Sequence, residues 1–293
     1  MLSLLIISCL SVRACSGVHV GVRGCSGTVS VLFGLCSGTV RVMFGLCSGY
    51  GVLANLGYVP KNNTIRASGL LFWALNGLKF VLLRMLKCFA NNPYQENTYI
   101  LYDNSGKCAI IDPGMYTASE QNAVVNFIRE HSLTPVLLLN THCHIDHVLG
   151  NRFVFDQYGL KPQFNQGEQW ILDEVPAYAP AMGFRYEPSP LPEVYLPETG
   201  TVEFGDTVLE LIFAPGHSPA HLCFYNRADN VLVGGDVLFK GSIGRTDLPG
   251  GDHDLLIRNI EEKLFTLPDD CVVYPGHGPE TTIGYEKETN PFF

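Results

Sequence analysis

One short stretch, THCHIDHVLGN from Thr141 to Asn151, concentrates chemistry. His142, Cys143, His144, Asp146 and His147 fall within six positions. Three imidazoles and a carboxylate this close would repel or strand one another in a protein interior without a cation. Imidazole and carboxylate together suit zinc, or iron or manganese as the carboxylate share rises. Downstream stand His217 in APGHSPAH, Asp236 in VGGDVLF and His277 in YPGHGPE. These residues all follow or end an apolar run, which places them on loops at the edge of a sheet. Seven candidate donors exceed the four of a closed structural site and match two adjacent ions that share a carboxylate and keep positions open for water. Thiolate is not needed, so Cys143 is expected to face away. His131, His221 and His253 lack such company and read as hydrogen-bonded core residues.

The elements that must position these groups are legible from Met85 onward. NTYILYD (97–103) and KCAIIDPG (107–114) read as paired strands around an Asn104-Ser105-Gly106 turn. Residues 118–132 carry Val124, Val125, Phe127 and Ile128 on a helical stripe, with Ser119 as a cap. PVLLLNTH (135–142) is a continuous apolar run, as for a strand buried on both faces, and it delivers the chain into the His cluster. Four strands follow between 201 and 239, then a helix over 251–267 with Asp252 or Asp254 near its start. CVVYPGHG (271–278) is a last strand. The order predicts an α/β protein with two sheets packed together and helices outside.

Charge divides the chain. Its net charge of −9 argues against a general nucleic-acid binder. Residues 1–84 hold seven Lys/Arg and no acid, so all 28 Asp/Glu lie in 85–293. The first segment repeats Cys-Ser-Gly at Cys15, Cys25, Cys36 and Cys47, without the CxxC pairing of a zinc knuckle. MLSLLIISCL lacks the basic residue and cleavage site of a signal peptide, and Lys79 and Arg84 interrupt the apolar run at 68–86. Residues 1–84 are therefore read as a repetitive low-complexity leader outside the native fold, with Met85 as the native start. A membrane-associated extension is the rival reading of that segment. With the leader set aside nothing directs export, and Cys88, Cys108, Cys143, Cys223 and Cys271 have no framework spacing, which fits a reducing cytoplasm.

The order HxHxDH at 142–147, then His217, Asp236 and His277, resembles the metallo-β-lactamase fold family. The supporting runs NPYQENTYILYD, IIDPG, PGHSPAH, GGDVLFKGSIGRTDLPGGDH and YPGHGPETTIGYEKETNPF resemble its short, single-domain glyoxalase II-like hydrolases. The resemblance implies a four-layer αββα sandwich over 85–293, with a dimetal site at the edge between the sheets. It implies that His142, His144 and His217 hold one ion, that Asp146, His147 and His277 hold the other, and that Asp236 bridges both. Asp112 would orient a ligand imidazole, and Lys240 and Arg245 would contact substrate. Two divalent ions, zinc first with iron or manganese open, would activate a hydroxide that Asp146 also hydrogen-bonds. The implied substrate is a small-molecule thioester such as an S-2-hydroxyacylglutathione. Glyoxalase II adds a helical C-terminal domain that completes its glutathione site, whereas only sixteen residues follow His277 here, so the thiol stays open. Three alternatives share the fold: a single-iron persulfide dioxygenase, which also has a GRTD-like segment; a β-lactamase, for which nothing outside the metal motif speaks; and a non-enzymatic metal-binding module, whose usual sign would be missing donors.

Overall fold

The computed structural model describes residues 86–293 in full and, before them, the backbone of four strands. These are β1 (Val18–Gly24), β2 (Gly27–Cys36), β3 (Thr39–Gly45) and β4 (Gly51–Tyr58). They pair in order as an antiparallel meander, with Gly24 opposite Gly27 and Cys36 opposite Thr39. The repeat is thus a strand repeat, driven by β-branched runs such as TVRVMF. MLSLLIISCL, the apolar run before residue 86, and Cys15, Cys25 and Cys47 lie outside the described residues. Contacts divide the chain into two units, Met1–Val81 and Leu82–Phe293.

In the second unit, one sheet runs β5 (Leu86–Asn91), β6 (Glu96–Tyr102), β7 (Lys107–Ile111), β8 (Thr134–Leu139) and β9 (Pro162–Gln163). The other runs β10 (Thr201–Phe204), β11 (Thr207–Phe213), β12 (Leu222–Asn226), β13 (Val231–Gly235), β16 (Val272–Pro275) and β17 (Thr281–Thr282). A short hairpin, β14 (Leu238–Phe239) and β15 (Ser242–Ile243), stands apart. Period-2 alternation decides which side chain goes where. Tyr99, Leu101, Ala109, Ile111 and Leu139 meet Leu209, Leu211, Leu222, Phe224, Val231, Val233 and Tyr274 in one core between the sheets.

The intervening positions point outward. Ile100, Cys108, Ile110 and Leu138 pack under Val124 and Ile128 of helix α1 (Ala118–Glu130) and Val154 of α3 (Asn151–Tyr158). Cys223, Tyr225, Leu232 and Val273 pack under Leu256 of α5 (His253–Asn259), the π-turn Ile260–Leu264, and Ile283 of α6 (Ile283–Thr289). The result is the expected αββα sandwich. Between α1 and α3 lies a one-turn helix α2 (Ile145–Val148), and α4 (Gln169–Tyr178) follows β9.

Local details differ from expectation. Thr117, not Ser119, caps α1, because Glu120 sits three residues on and closes a capping box with it. Asp252 caps α5 as expected. His131 is exposed, with Nδ1 2.9 Å from the Phe127 carbonyl at the end of α1, and His253 is exposed at the start of α5. Of the three histidines read as core, only His221 is buried. Among the described residues no helix is long and apolar enough to cross a membrane.

Candidate metal centre

Each candidate donor sits just past a strand. The loop leaving β8 carries His142 and His144, and α2 adds Asp146 and His147, so two of the residues expected on a loop stand on a single helical turn. His217 follows β11, Asp236 follows β13 and His277 follows β16. Strand β6 ties the two sheets together at this edge. The Asn97 amide N–H donates to the Gly276 carbonyl (2.7 Å), and the Tyr99 hydroxyl donates to the Pro275 carbonyl (2.6 Å).

The structure brings all seven candidates together. Donor atoms of His142, His144 and His217 lie within 4.8 Å of one another, as do those of Asp146, His147 and His277. Asp236 stands between the sets, 3.5 Å from both His147 Nε2 and His217 Nε2, and 3.6 Å from His277 Nε2. His144 Nδ1 and His217 Nε2 approach to 2.9 Å, and His277 Nε2 lies 3.2 Å from Asp146 Oδ2.

The outer edges of the rings are anchored. His142 Nδ1 meets the Thr141 hydroxyl (3.0 Å), His217 Nδ1 the Arg245 carbonyl (2.7 Å), His277 Nδ1 the Tyr94 carbonyl (3.0 Å) and His147 Nδ1 the Asp112 carboxylate (3.2 Å). Such contacts fix ring orientation and tautomer. The inner atoms His142 Nε2, His147 Nε2 and Asp236 Oδ1 are buried without a hydrogen-bond partner. Buried polar atoms left this way are costly, and all three face the space the two donor sets enclose. The donor set therefore fits divalent metal ions.

Asp112 does more than hold His147. It also accepts from the Thr141 amide (2.7 Å) and hydroxyl (2.6 Å), so one carboxylate sets the start of the HxHxDH loop. Its φ of +47° is a left-handed conformation that few non-glycine residues adopt. Gly276 makes room at the far side. A Cβ there would lie 2.1 Å from Asp236 Oδ1 and 2.7 Å from His147 Cε1.

Electrostatics separate the two sets. Burial and neighbouring imidazoles push His142 well below the ordinary imidazole value, and push His144 to about 3. Burial also lowers His217. Burial pushes His147 down, but the Asp236 and Asp146 carboxylates outweigh it and hold His147 well above the ordinary value. His277 is likewise raised by Asp146 and Asp236 against burial. The first set is therefore neutral and ready to coordinate, while the second must lose protons first.

The consequence is measurable. His147 protonation stabilises the metal-free fold at low pH, and that contribution is lost as pH rises through its folded value. His142 and His217 act oppositely, costing stability as pH falls through the ordinary imidazole range. Titrating a divalent cation into metal-free protein at pH 6 will release on the order of two protons, all with the second equivalent. Calorimetry in buffers of different ionisation enthalpy checks this, and proton release with the first equivalent would contradict it.

Other expected residues lie farther out. Lys240 is exposed, its ammonium 5.8 Å from the Tyr285 ring. Arg245 is exposed and paired with Asp247 at 2.6 Å, so its backbone carbonyl, not its side chain, touches the site. Cys143 is fully buried with Ile145, Val148 and Phe164, facing away as expected. His221 is the hydrogen-bonded core residue the sequence led us to expect, whereas two glutamates behind the site were missed. His221 Nε2 accepts the Asp236 amide (3.1 Å), with the ring stacked 4.9 Å from His142. Glu96, fully buried, lies 4.0 Å from His147 Nδ1, and Glu168 is fully buried beside Cys143. The two glutamates had no signal beyond being single acids among polar neighbours.

The chain matches the metallo-beta-lactamase superfamily over residues 91–277. It is 37% identical over 201 residues to the "Probable metallo-hydrolase YqgX" of Bacillus subtilis (strain 168), covering 68% of this chain and 93% of that one. With the "Hydroxyacylglutathione hydrolase GloC" of Haemophilus influenzae it shares 35% over 201 residues, again 68% and 93% of the two chains. Two solved structures, each 34% identical, superpose on 71% of the chain: "BLEG-1 B3 metallo-beta-lactamase" (TM-score 0.66, 99% of that chain) and "TTHA1623 in a di-iron-bound form" (TM-score 0.64, 100%). Fold, donor order and relatives agree, and the chain belongs to the metallo-beta-lactamase superfamily.

Proposed function

We propose that this chain is a dimetal hydrolase of small-molecule thioesters, of the S-2-hydroxyacylglutathione type. The observation that carries the proposal is the convergence of two three-residue donor sets on Asp236. The likeness to GloC supports the thioester class. His142, His144 and His217 would hold one ion, and Asp146, His147 and His277 the other. When bound, the pair of cations would supply Lewis acidity to the acyl carbonyl and make water acidic enough to attack near neutral pH. Zinc is the first choice for the imidazole-rich set; the di-iron form of TTHA1623 keeps iron in contention.

The chain's own residues do the rest. Asp146 is kept ionised, because His147 and His277 outweigh the effect of burial, and it is partly exposed toward the open side. It accepts a hydrogen bond from the attacking water and fixes its direction. A thiolate leaving group needs little protonation, so no dedicated acid is required. Asp112 and the Tyr94 and Arg245 carbonyls keep the rings aimed throughout. The catalytic unit is taken as residues 85–293, translated from Met85 in a reducing cytoplasm; the buried thiols of Cys108, Cys143 and Cys223, none of them in a disulfide, support that compartment.

Elemental analysis of the purified chain, with S-lactoylglutathione turnover and oxygen recorded on the same sample, tests this reading. Close to two metals per chain and hydrolysis without oxygen uptake are expected, with activity lost on chelation and restored by zinc. One iron with thiol-dependent oxygen uptake would replace the proposal with a persulfide dioxygenase. Turnover of a β-lactam alone would place the chain functionally with BLEG-1. A truncation to 85–293 is expected to match the full chain in specific activity; a large loss would show that the leader belongs to the enzyme.

A further inference from the structure

The two loops that supply His142, His144 and His217 come from different sheets. At their base a backbone bond joins them, from the Leu222 amide to the Thr141 carbonyl (2.9 Å). Farther out, toward the imidazoles, the link is a side chain. Glu168 Oε2 accepts the amide N–H of Cys143 (2.9 Å), and Oε1 accepts that of Ala220 (2.8 Å). Cys143 lies between His142 and His144, and Ala220 lies three residues past His217.

Glu168 is fully buried, an expensive position for a carboxyl group with no catalytic duty of its own. The turn that presents it, Gln166–Glu168, is itself pinned. Asn165 Oδ1 accepts from the Gly167 amide (3.0 Å), and Asn165 Nδ2 donates to the Leu196 carbonyl (3.0 Å). Gly167 permits the close approach, since a Cβ there would come within 2.6 Å of Ala220 Cβ.

We infer that Glu168 is a positioning residue that clamps the two histidine loops together and so sets the geometry of the His142–His144–His217 donor set. Each carboxylate oxygen holds one loop, so the clamp spans both sheets through one rigid group. The inference rests on the dimetal reading above. It also sets the two donor sets apart. His147 is anchored by Asp112, His277 by the Tyr94 carbonyl and the Asp146 backbone by the Asn92 side-chain amide, and the carboxylate contacts of Glu168 described above go to the other set's loops. Glu168→Gln replaces one acceptor with a donor and leaves one of the two amides unmatched.

The test uses the full chain loaded with zinc and titrated with a chelator, with metal per chain as the readout. His144→Ala identifies the equivalent that belongs to the three-histidine set. In Glu168→Gln, that equivalent is expected to leave at a chelator concentration about 10–100-fold lower than in wild type, the other being unchanged. Both equivalents leaving at wild-type concentrations, or both shifting by the same factor, would overturn the assignment, since a merely structural role would weaken the two together. If Glu168→Gln does not fold, Gly167→Ala carries the same test by pushing Ala220 away from the clamp, with the same unequal loss expected and the same two results against it. A wild-type chain holding fewer than two equivalents would refute the dimetal reading. The role of Glu168 would still be judged on whether the equivalent removed by His144→Ala weakens.

Discussion

Gly276→Ala will leave the sandwich folded, deplete the metal and reduce thioester turnover on the order of 10³-fold, the scale of several kcal/mol of Lewis-acid stabilisation. The reason is space. Gly276 closes the loop after β16 directly against the pocket, where an added Cβ would lie 2.1 Å from Asp236 Oδ1 and 2.7 Å from His147 Cε1. Neither neighbour is the free end of a long side chain. Asp236 is fixed at its amide by His221, and His147 at Nδ1 by Asp112. The methyl group can be accommodated only by turning the shared carboxylate away from one donor set. Metal analysis and a thermal melt of the metal-free form decide the matter: a wild-type metal content would refute the argument, and an unfolded variant would show that the loop serves the fold first.

Asp236→Ala is expected to remove both ions and, unlike the glycine change, to destabilise the metal-free protein as well. Asp236 lies within 3.6 Å of three imidazoles and is held well below the carboxylate range, chiefly by His147 against the cost of burial. In the metal-free state it is a principal counter-charge for the protonated His147 ring, which is fully buried. Removing one partner of a buried pair costs roughly 3–5 kcal/mol because the other charge is stranded. At pH 8, where less of the site is protonated, the loss should be smaller than at pH 6. A loss at pH 6 much smaller than this would argue that His147 is neutral without metal.

The site was legible because its chemistry is local. His142, His144, Asp146 and His147 announce themselves by type and spacing within one loop and one helical turn. The strands announced themselves through alternation, as at Tyr99–Leu101 against Ile100, because each faces two different cores. What escaped was set by tertiary neighbours. Residues 151–198, which hold α3, β9 and α4, carry no comparable run of donors, and Glu168 in that segment looks like an ordinary surface acid. Backbone groups such as the Arg245 and Tyr94 carbonyls carry no side-chain signature at all. Arg245 is an example: its guanidinium is the group visible in the sequence, while its carbonyl is the part at the site. Ser119 reads as a cap by residue type alone, whereas Thr117 takes the role because Glu120, three residues on, closes a box with it.

The tie between strand β6 and the loop after β16 has a bearing on biosynthesis. Tyr99 and Pro275, hydrogen-bonded here, are separated by 176 positions. His144 and His217 are separated by 73. Contacts of such long separation form late, because loop closure precedes any reward from them. A ribosome-bound chain that has exposed only the HxHxDH segment therefore presents half a chelate, with neither Asp236 nor His277 to complete it. Metal loading is then a step that follows folding, and a chain arrested before residue 217, which completes neither donor set, should emerge from the ribosome without a stable ion.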